Sequence, residues 1–283
     1  MTDSHQSGVI GFYDTHPINE DEILAKLAAY GVDLDALTED DLKDFDQDHY
    51  GGTDAVDALA RAAGVVAGQH VLDVCSGMGG PARWLAPRYG CRVTGIDLTR
   101  SRVEGAMRLA RRVRLDGRVQ FTQGNATAMP FADASFDALV SQEAWCHIPD
   151  RASLIAECVR VLKPQGMMAF TDIVSLAPMD ETETMRLRTG MLMPKLASVD
   201  EYTHLLHERG CRIEQCNDLS KAWIDILVAR LGMYRSLRDT TIAKFGEARF
   251  REYDRAYSAF VELFVSGKLG GVRVAAQKGA ADA

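Results

Sequence analysis

Read for the spacing of its apolar residues, the chain falls into three stretches. Over residues 1–65 the period is helical. Ile23, Leu24, Leu27 and Ala28 form an amphipathic stripe, and Asn19 ahead of Glu22 has the form of a helix-starting box, with Pro17 upstream as a breaker. Thr38 with Asp41 predicts a second short helix, and Tyr50-Gly51-Gly52 interrupts the pattern before another over about 53–64. From 68 to 175 short apolar runs alternate with helical ones, predicting strands over 70–75, 91–96, 119–122, 136–141 and 167–174. The intervening helices fall at about 81–88, 99–114 and 151–161. The last stretch, 176–283, reads as mostly helical. It holds a Met-rich segment, a helix over about 199–209, a strand over 212–216, two longer helices up to about 267 and a final strand over 272–277. Strands alternating with helices of this length imply a parallel sheet covered on both faces, with ligands bound beyond the carboxyl ends of its strands.

Composition narrows the picture. With 283 residues the chain can bury one large core, and a second compact domain would be a squeeze. The expected division is a helical cover or lid over 1–65 and one α/β domain over 66–283, with helical insertions at about 176–210 and 218–268. A net charge of −8 argues against wide contact with a nucleic-acid backbone. The local crowd of Arg108, Arg111, Arg112 and Arg114 suits the solvent face of a helix. Six scattered cysteines form no CxxC pair and no Cys/His set of zinc-ligand spacing, so no metal is expected and a reducing cytosol fits. Residues 1–8 are polar and no apolar run has membrane-spanning length, so a cytoplasmic protein without membrane contact is expected. The long C-terminal helices offer a face for a homodimer, although burial against their own sheet explains their stripes equally well.

The densest chemistry lies in Val71-Leu72-Asp73-Val74-Cys75-Ser76-Gly77-Met78-Gly79-Gly80. A strand carrying an acid runs into a tight turn whose glycines admit a ligand to the backbone, ahead of a helix N-terminus. Such a turn could hold several nucleotides. Asp73 just before it suits an ammonium better than a pyrophosphate, which counts against a nicotinamide dehydrogenase. Asp97, ending the second strand, stands where a carboxylate accepts from both ribose hydroxyls.

Four motifs in order, Asp73 to Gly79, Asp97, Gly124-Asn125-Ala126 and Leu162-Lys163-Pro164-Gln165-Gly166, resemble those of the class I S-adenosylmethionine-dependent methyltransferases. The resemblance implies a Rossmann-like three-layer α/β sandwich, whose mostly parallel seven-stranded sheet has an antiparallel last strand. It implies S-adenosylmethionine as cofactor. Asp73, Cys75, Gly77 and Gly79 would hold its methionine end, Asp97 its ribose, and Leu98 the adenine face. Asn125 and Ala126 would hold the adenine edge, and Gln142 would face the amino-acid portion. Cys75 stands where the family has a glycine, which is acceptable only if its dihedrals are not glycine-like. Asn125 stands for the usual Asp, with its amide oxygen left to accept from the adenine amino group.

The acceptor is read from the flanks of this motif set. Ser141-Gln142-Glu143-Ala144-Trp145-Cys146-His147 leaves the fourth strand. There His147 is the candidate base, Trp145 and Tyr50 are candidate substrate contacts, and Glu143 reads as a solvated loop residue. Tyr13-Asp14-Thr15-His16 and the segment 46–52 carry polar and aromatic groups suited to a lid. Together with Tyr50-Gly51-Gly52 and Gly79-Gly80-Pro81-Ala82-Arg83, the strand-four motif resembles the sarcosine/dimethylglycine and phosphoethanolamine N-methyltransferases. That implies a small-molecule acceptor, methylated on the nitrogen of an amine or amino acid, with Arg186 or Arg188 as partner for a carboxylate. Transfer to oxygen or carbon of a secondary metabolite is the alternative, and a non-catalytic cofactor-binding protein a further one.

Overall fold

The computed structural model describes residues 3–16 and 18–280. Within them α1 (Asp3–Asp14), α2 (Glu20–Ala29), α3 (Glu39–Leu42) and α4 (Gly52–Ala62) come first. Strands and helices then alternate as β1 (His70–Val74), α5 (Gly80–Tyr89), β2 (Arg92–Asp97), α6 (Arg100–Arg112), β3 (Val119–Gln123), β4 (Phe136–Gln142), α7 (Arg151–Val161) and β5 (Leu162–Ser175). Next come α8 (Glu181–Gly190), α9 (Val199–Glu208) and β6 (Cys211–Asp218), then α10 (Ser220–Ser236), α11 (Arg238–Phe245), α12 (Glu247–Val265) and β7 (Leu269–Lys278). The strands form one sheet in the order β3-β2-β1-β4-β5-β7-β6, parallel except that β7 runs antiparallel to both β5 and β6. The expected three-layer α/β architecture is therefore the observed one.

The two-residue period of a strand divides its side chains between the layers. Val71 packs with Leu59 of α4, Leu85 of α5 and Ala106 of α6 on one face. Its neighbours Leu72 and Val74 pack with Leu154 and Cys158 of α7 and Leu206 of α9 on the other. α8, α10 and α12 build a third apolar cluster around Trp223, Phe260 and Phe264, against Ile173 of β5 and Leu269 of β7. α2 closes on α6 through Ile23, Leu27, Met78 and Leu109. Asn19 caps α2, its side chain accepting from Glu22 N at 3.1 Å, and Asp41 accepts from Thr38 N at 2.9 Å ahead of α3. Pro17 lies outside the described residues.

The helical insertions differ in detail from expectation. α8 falls inside the helical insertion expected at about 176–210, and three helices rather than two fill the span between β6 and β7. Gly246 at φ +87° ends α11 and starts α12, a conformation that few residues other than glycine adopt. All six cysteines are free thiols. Among the described residues no helix is long and apolar enough to cross a membrane.

Candidate active site

A cavity of about 550 Å³ opens beyond the carboxyl ends of β1, β2 and β4, where open parallel sheets bind ligands. Asp73, Cys75, Gly77, Asp97, Leu98, Asn125, Ala126 and Gln142 all line it. Asp73 is 4% exposed, and its Oδ2 has no hydrogen-bond partner. Burial, and then the nearby Asp97 carboxylate, push its pKa up to about 7. The Gln142 side chain leaves both its amide oxygen and its amide nitrogen buried and unpartnered. Asp97 accepts from Gly77 N at 2.9 Å on one oxygen and from Thr99 N at 2.8 Å on the other. These backbone bonds fix the carboxylate while leaving each oxygen a further lone pair.

Several sequence expectations are corrected here. Cys75 does adopt the glycine-like conformation, at φ +62°. The chain therefore carries backbone strain of order 1–2 kcal/mol in the turn. Cys75→Gly is expected to raise stability by about 0.5–1 kcal/mol, since part of the relief is lost to the freer unfolded chain. A urea melt with a higher midpoint and unchanged slope would show it. Gly79 is outside the cavity wall. It is needed because a Cβ there would meet the Phe121 ring at 2.3 Å. The Asn125 Oδ1 is already engaged by Thr127 N at 3.0 Å and Thr127 Oγ1 at 2.9 Å, leaving Nδ2 rather than the oxygen for a ligand. Trp145 is 1% exposed and stacks on Phe170 at 4.1 Å, so it is core and not cavity wall. Glu143 is no solvated loop residue. It lies in the wall, accepts from Tyr50 N at 2.7 Å and Thr171 Oγ1 at 2.5 Å, and burial pushes it up to about 7. Arg186 and Arg188 are exposed on α8 and do not line the cavity.

His147 is in the wall, on a short 3-10 turn (Trp145–His147) after β4. Its Nδ1 lies 3.1 Å from the Leu192 carbonyl, and its Nε2 lies 3.1 Å from the Tyr13 hydroxyl. A carbonyl can only accept, so Nδ1 carries the proton and Nε2 offers a lone pair. Burial lowers the pKa of the ring and keeps it neutral, against the pull of the Leu192 carbonyl. The turn itself is pinned from below. Cys146 N donates to Asp172 at 3.0 Å, and the Tyr202 hydroxyl donates to the other Asp172 oxygen at 2.6 Å. From above, α1 supplies Tyr13, and His5 Nε2 donates to the His147 carbonyl at 2.8 Å. The guanidinium of Arg102 lies 5.1 Å from the Tyr13 ring and bonds the Ile18 carbonyl.

Both aromatic-polar segments singled out in the sequence reach the cavity, through Tyr13 and His16 and through residues 46–50. Tyr13 as the specific partner of His147, Asp172 beneath the turn, and Arg230 in the far wall were missed. Each meets its neighbours across long sequence separations, with no local spacing to mark it.

A methyltransferase-domain family matches residues 72–170, from β1 into β5. The methyltransferase GfsG of Streptomyces halstedii is 34% identical over 193 residues, 62% of this chain and 69% of the relative. The 27-O-demethylrifamycin SV methyltransferase of Amycolatopsis mediterranei is 32% identical over 230 residues, 80% of this chain and 83% of the relative. Phosphoethanolamine N-methyltransferase 2 of Haemonchus contortus, solved with S-adenosyl-L-methionine, shares the fold with a TM-score of 0.75. That match has 21% identity and covers 95% of this chain and 60% of that one. The chain belongs to the S-adenosylmethionine-dependent methyltransferases.

Proposed function

We propose that the protein transfers the methyl group of S-adenosylmethionine to a hydroxyl oxygen of an apolar small molecule, with His147 taking the hydroxyl proton. The observation that carries this reading is the lone pair of a neutral His147 Nε2, held in the cavity wall by the Leu192 carbonyl and directed at Tyr13. Apolar side chains, Phe12, Met191, Met193 and Leu237 among them, make up much of the remaining wall. The name of the Amycolatopsis relative also specifies an oxygen acceptor.

The buried polar atoms fit the cofactor. Asp73 would pair with its ammonium, the unpartnered Gln142 amide with its amino-acid portion, and Asp97 with the ribose hydroxyls. Leu98 would lie against the adenine, with Asn125 Nδ2 and Ala126 at its edge. Bound there, the cofactor supplies an electrophilic methyl on a sulfonium. Methyl transfer is an in-line displacement, so the protein's part is alignment and exclusion of water. α1 and the segment 46–50 cover the chamber, and His147 accepts the proton directly or through Tyr13 as the oxygen–carbon bond forms. Asp97→Ala is expected to weaken cofactor binding by roughly 1.5–3 kcal/mol, measured calorimetrically, while unchanged affinity would move the ribose elsewhere.

Nitrogen of a small amine is the second reading. Asp48 and Glu143 in the wall favour it, since both would attract a cation. Against it, Arg230 already lies 4.9 Å over the Tyr50 ring, so that ring is not open to a substrate cation. The test is S-adenosylhomocysteine formation with matched alcohols or phenols and amines on one carbon skeleton, alongside glycine, sarcosine and phosphoethanolamine. Product from the hydroxyl members is expected. Product from the amines alone would replace this reading with the second.

A further inference from the structure

The wall formed by α10, α12 and the segment 46–50 carries several hydrogen-bond donors that have no side-chain acceptor among the described residues. Arg230 of α10 gives one Nη2 bond to the His49 carbonyl at 2.7 Å and lies over the Tyr50 ring. No carboxylate of the described residues pairs with it. Its charge is felt by Tyr50, Tyr253 and Tyr257, all of which line the same cavity. None of these three phenol hydroxyls has a hydrogen-bond partner among the described residues, whereas Tyr234 nearby donates to the Phe250 carbonyl. Tyr50 and Tyr257 lie mostly out of solvent, and Tyr257 is only 7% exposed. The two acids beside this wall are engaged elsewhere: Glu143 accepts from Tyr50 N and Thr171 Oγ1, and Asp48 lies 3.6 Å from His16 Nδ1 and 3.9 Å from the Arg102 guanidinium.

These donors still reach solvent, Tyr253 being 39% exposed, and a charged acceptor with several lone pairs is the ligand that best replaces the water they hold. A guanidinium fork beside phenol hydroxyls suits the oxygens of a carboxylate or phosphate. We infer that the acceptor carries an oxyanion group, a carboxylate or a phosphate ester, clamped by Arg230 with Tyr50, Tyr253 and Tyr257 in the wall formed by α10, α12 and the segment 46–50. This rests on the reading of the chamber as the acceptor site. It holds for either acceptor atom. The anion fixes which end of an otherwise apolar molecule enters first.

The experiment is calorimetric binding to the protein saturated with S-adenosylhomocysteine, so no turnover is needed. The probes are 6-hydroxy-2-naphthoate, its neutral methyl ester and 2-naphthyl phosphate. The acid or the phosphate should bind at least about 10-fold more tightly than the ester. Whichever of the two is tighter identifies the oxyanion. Arg230→Gln should reduce the anion to the ester's affinity, and Arg230→Lys should recover only part of the preference. Unchanged S-adenosylhomocysteine affinity in both variants reports an intact fold. Equal binding of acid, phosphate and ester, or no binding of either anion, would overturn the inference. So would a preference that survives Arg230→Gln. Failure of the methyl-transfer reading would instead appear as absent S-adenosylhomocysteine formation, with these affinities unaffected.

Discussion

Replacing His147 by Gln lowers turnover about 10²-fold or more while S-adenosylmethionine binds as before. The expectation follows from position. His147 touches no cofactor-facing group of the glycine turn, and its Nδ1 is committed to the Leu192 carbonyl, so only Nε2 is free to take a proton. The loss should fall on turnover rather than on cofactor affinity. Tyr13→Phe separates two routes. A fall as large as that of His147→Gln means the proton passes through the phenol, and a small one means the substrate displaces Tyr13 from the imidazole. The pH profile carries a second signature. With cofactor saturating, activity should fall on the acid side as His147 protonates, and burial places that limb below the ordinary histidine range. The limb should vanish in His147→Gln. A variant with normal turnover and an unchanged profile would leave His147 only its packing role between Leu192 and α1.

Asp73→Asn should weaken S-adenosylmethionine binding by about 2–4 kcal/mol, roughly 30- to 1,000-fold, and remove most of its pH dependence below neutrality. In the free protein Asp73 has a pKa of about 7, raised by burial and by Asp97. It must ionise to pair with the ammonium. Affinity should therefore fall as pH drops below 7, with a proton released to buffer on binding near pH 6. Above about pH 8 the α-amino group of the ligand itself loses charge, so the affinity profile should be a bell. The stability of the free protein follows the opposite sign. A carboxyl whose folded pKa is raised contributes stability below its unfolded value that is lost as pH rises through 7. The cofactor should restore it. A flat affinity profile between pH 6 and 7.5 would place the ammonium away from Asp73.

The sheet was legible in the sequence, and so was the convergence of the residues proposed to hold the cofactor, because both are set by local spacing. Asp73 with Gly77, Asp97, and Asn125 with Ala126 each sit at a strand end whose position is set by a few residues of spacing, and all reach one cavity. Two local readings still failed for steric reasons. Cys75 accepts a left-handed backbone that its side chain disfavours, and Gly79 is dictated by the Phe121 ring, a contact from another strand. The acceptor half was barely legible. Trp145 and His147 are two residues apart on one tight turn, yet the turn sends one into the core against Phe170 and the other into the cavity. The partner of His147 comes from α1, 134 positions away, and the donors around Arg230 come from three separate segments. Such pairs arise from how the insertions fold back over the sheet, and apolar periodicity carries no record of that.

Methyl transfer to oxygen can be followed with S-adenosylmethionine labelled with carbon-13 in the methyl group. The labelled product from the matched acceptor set is isolated, and the atom bearing the label is read by nuclear magnetic resonance. The expected product bears a methyl carbon bonded to oxygen, and its formation is lost in His147→Gln. A methyl found on nitrogen or carbon, formed at the same rate by that variant, would contradict transfer to oxygen.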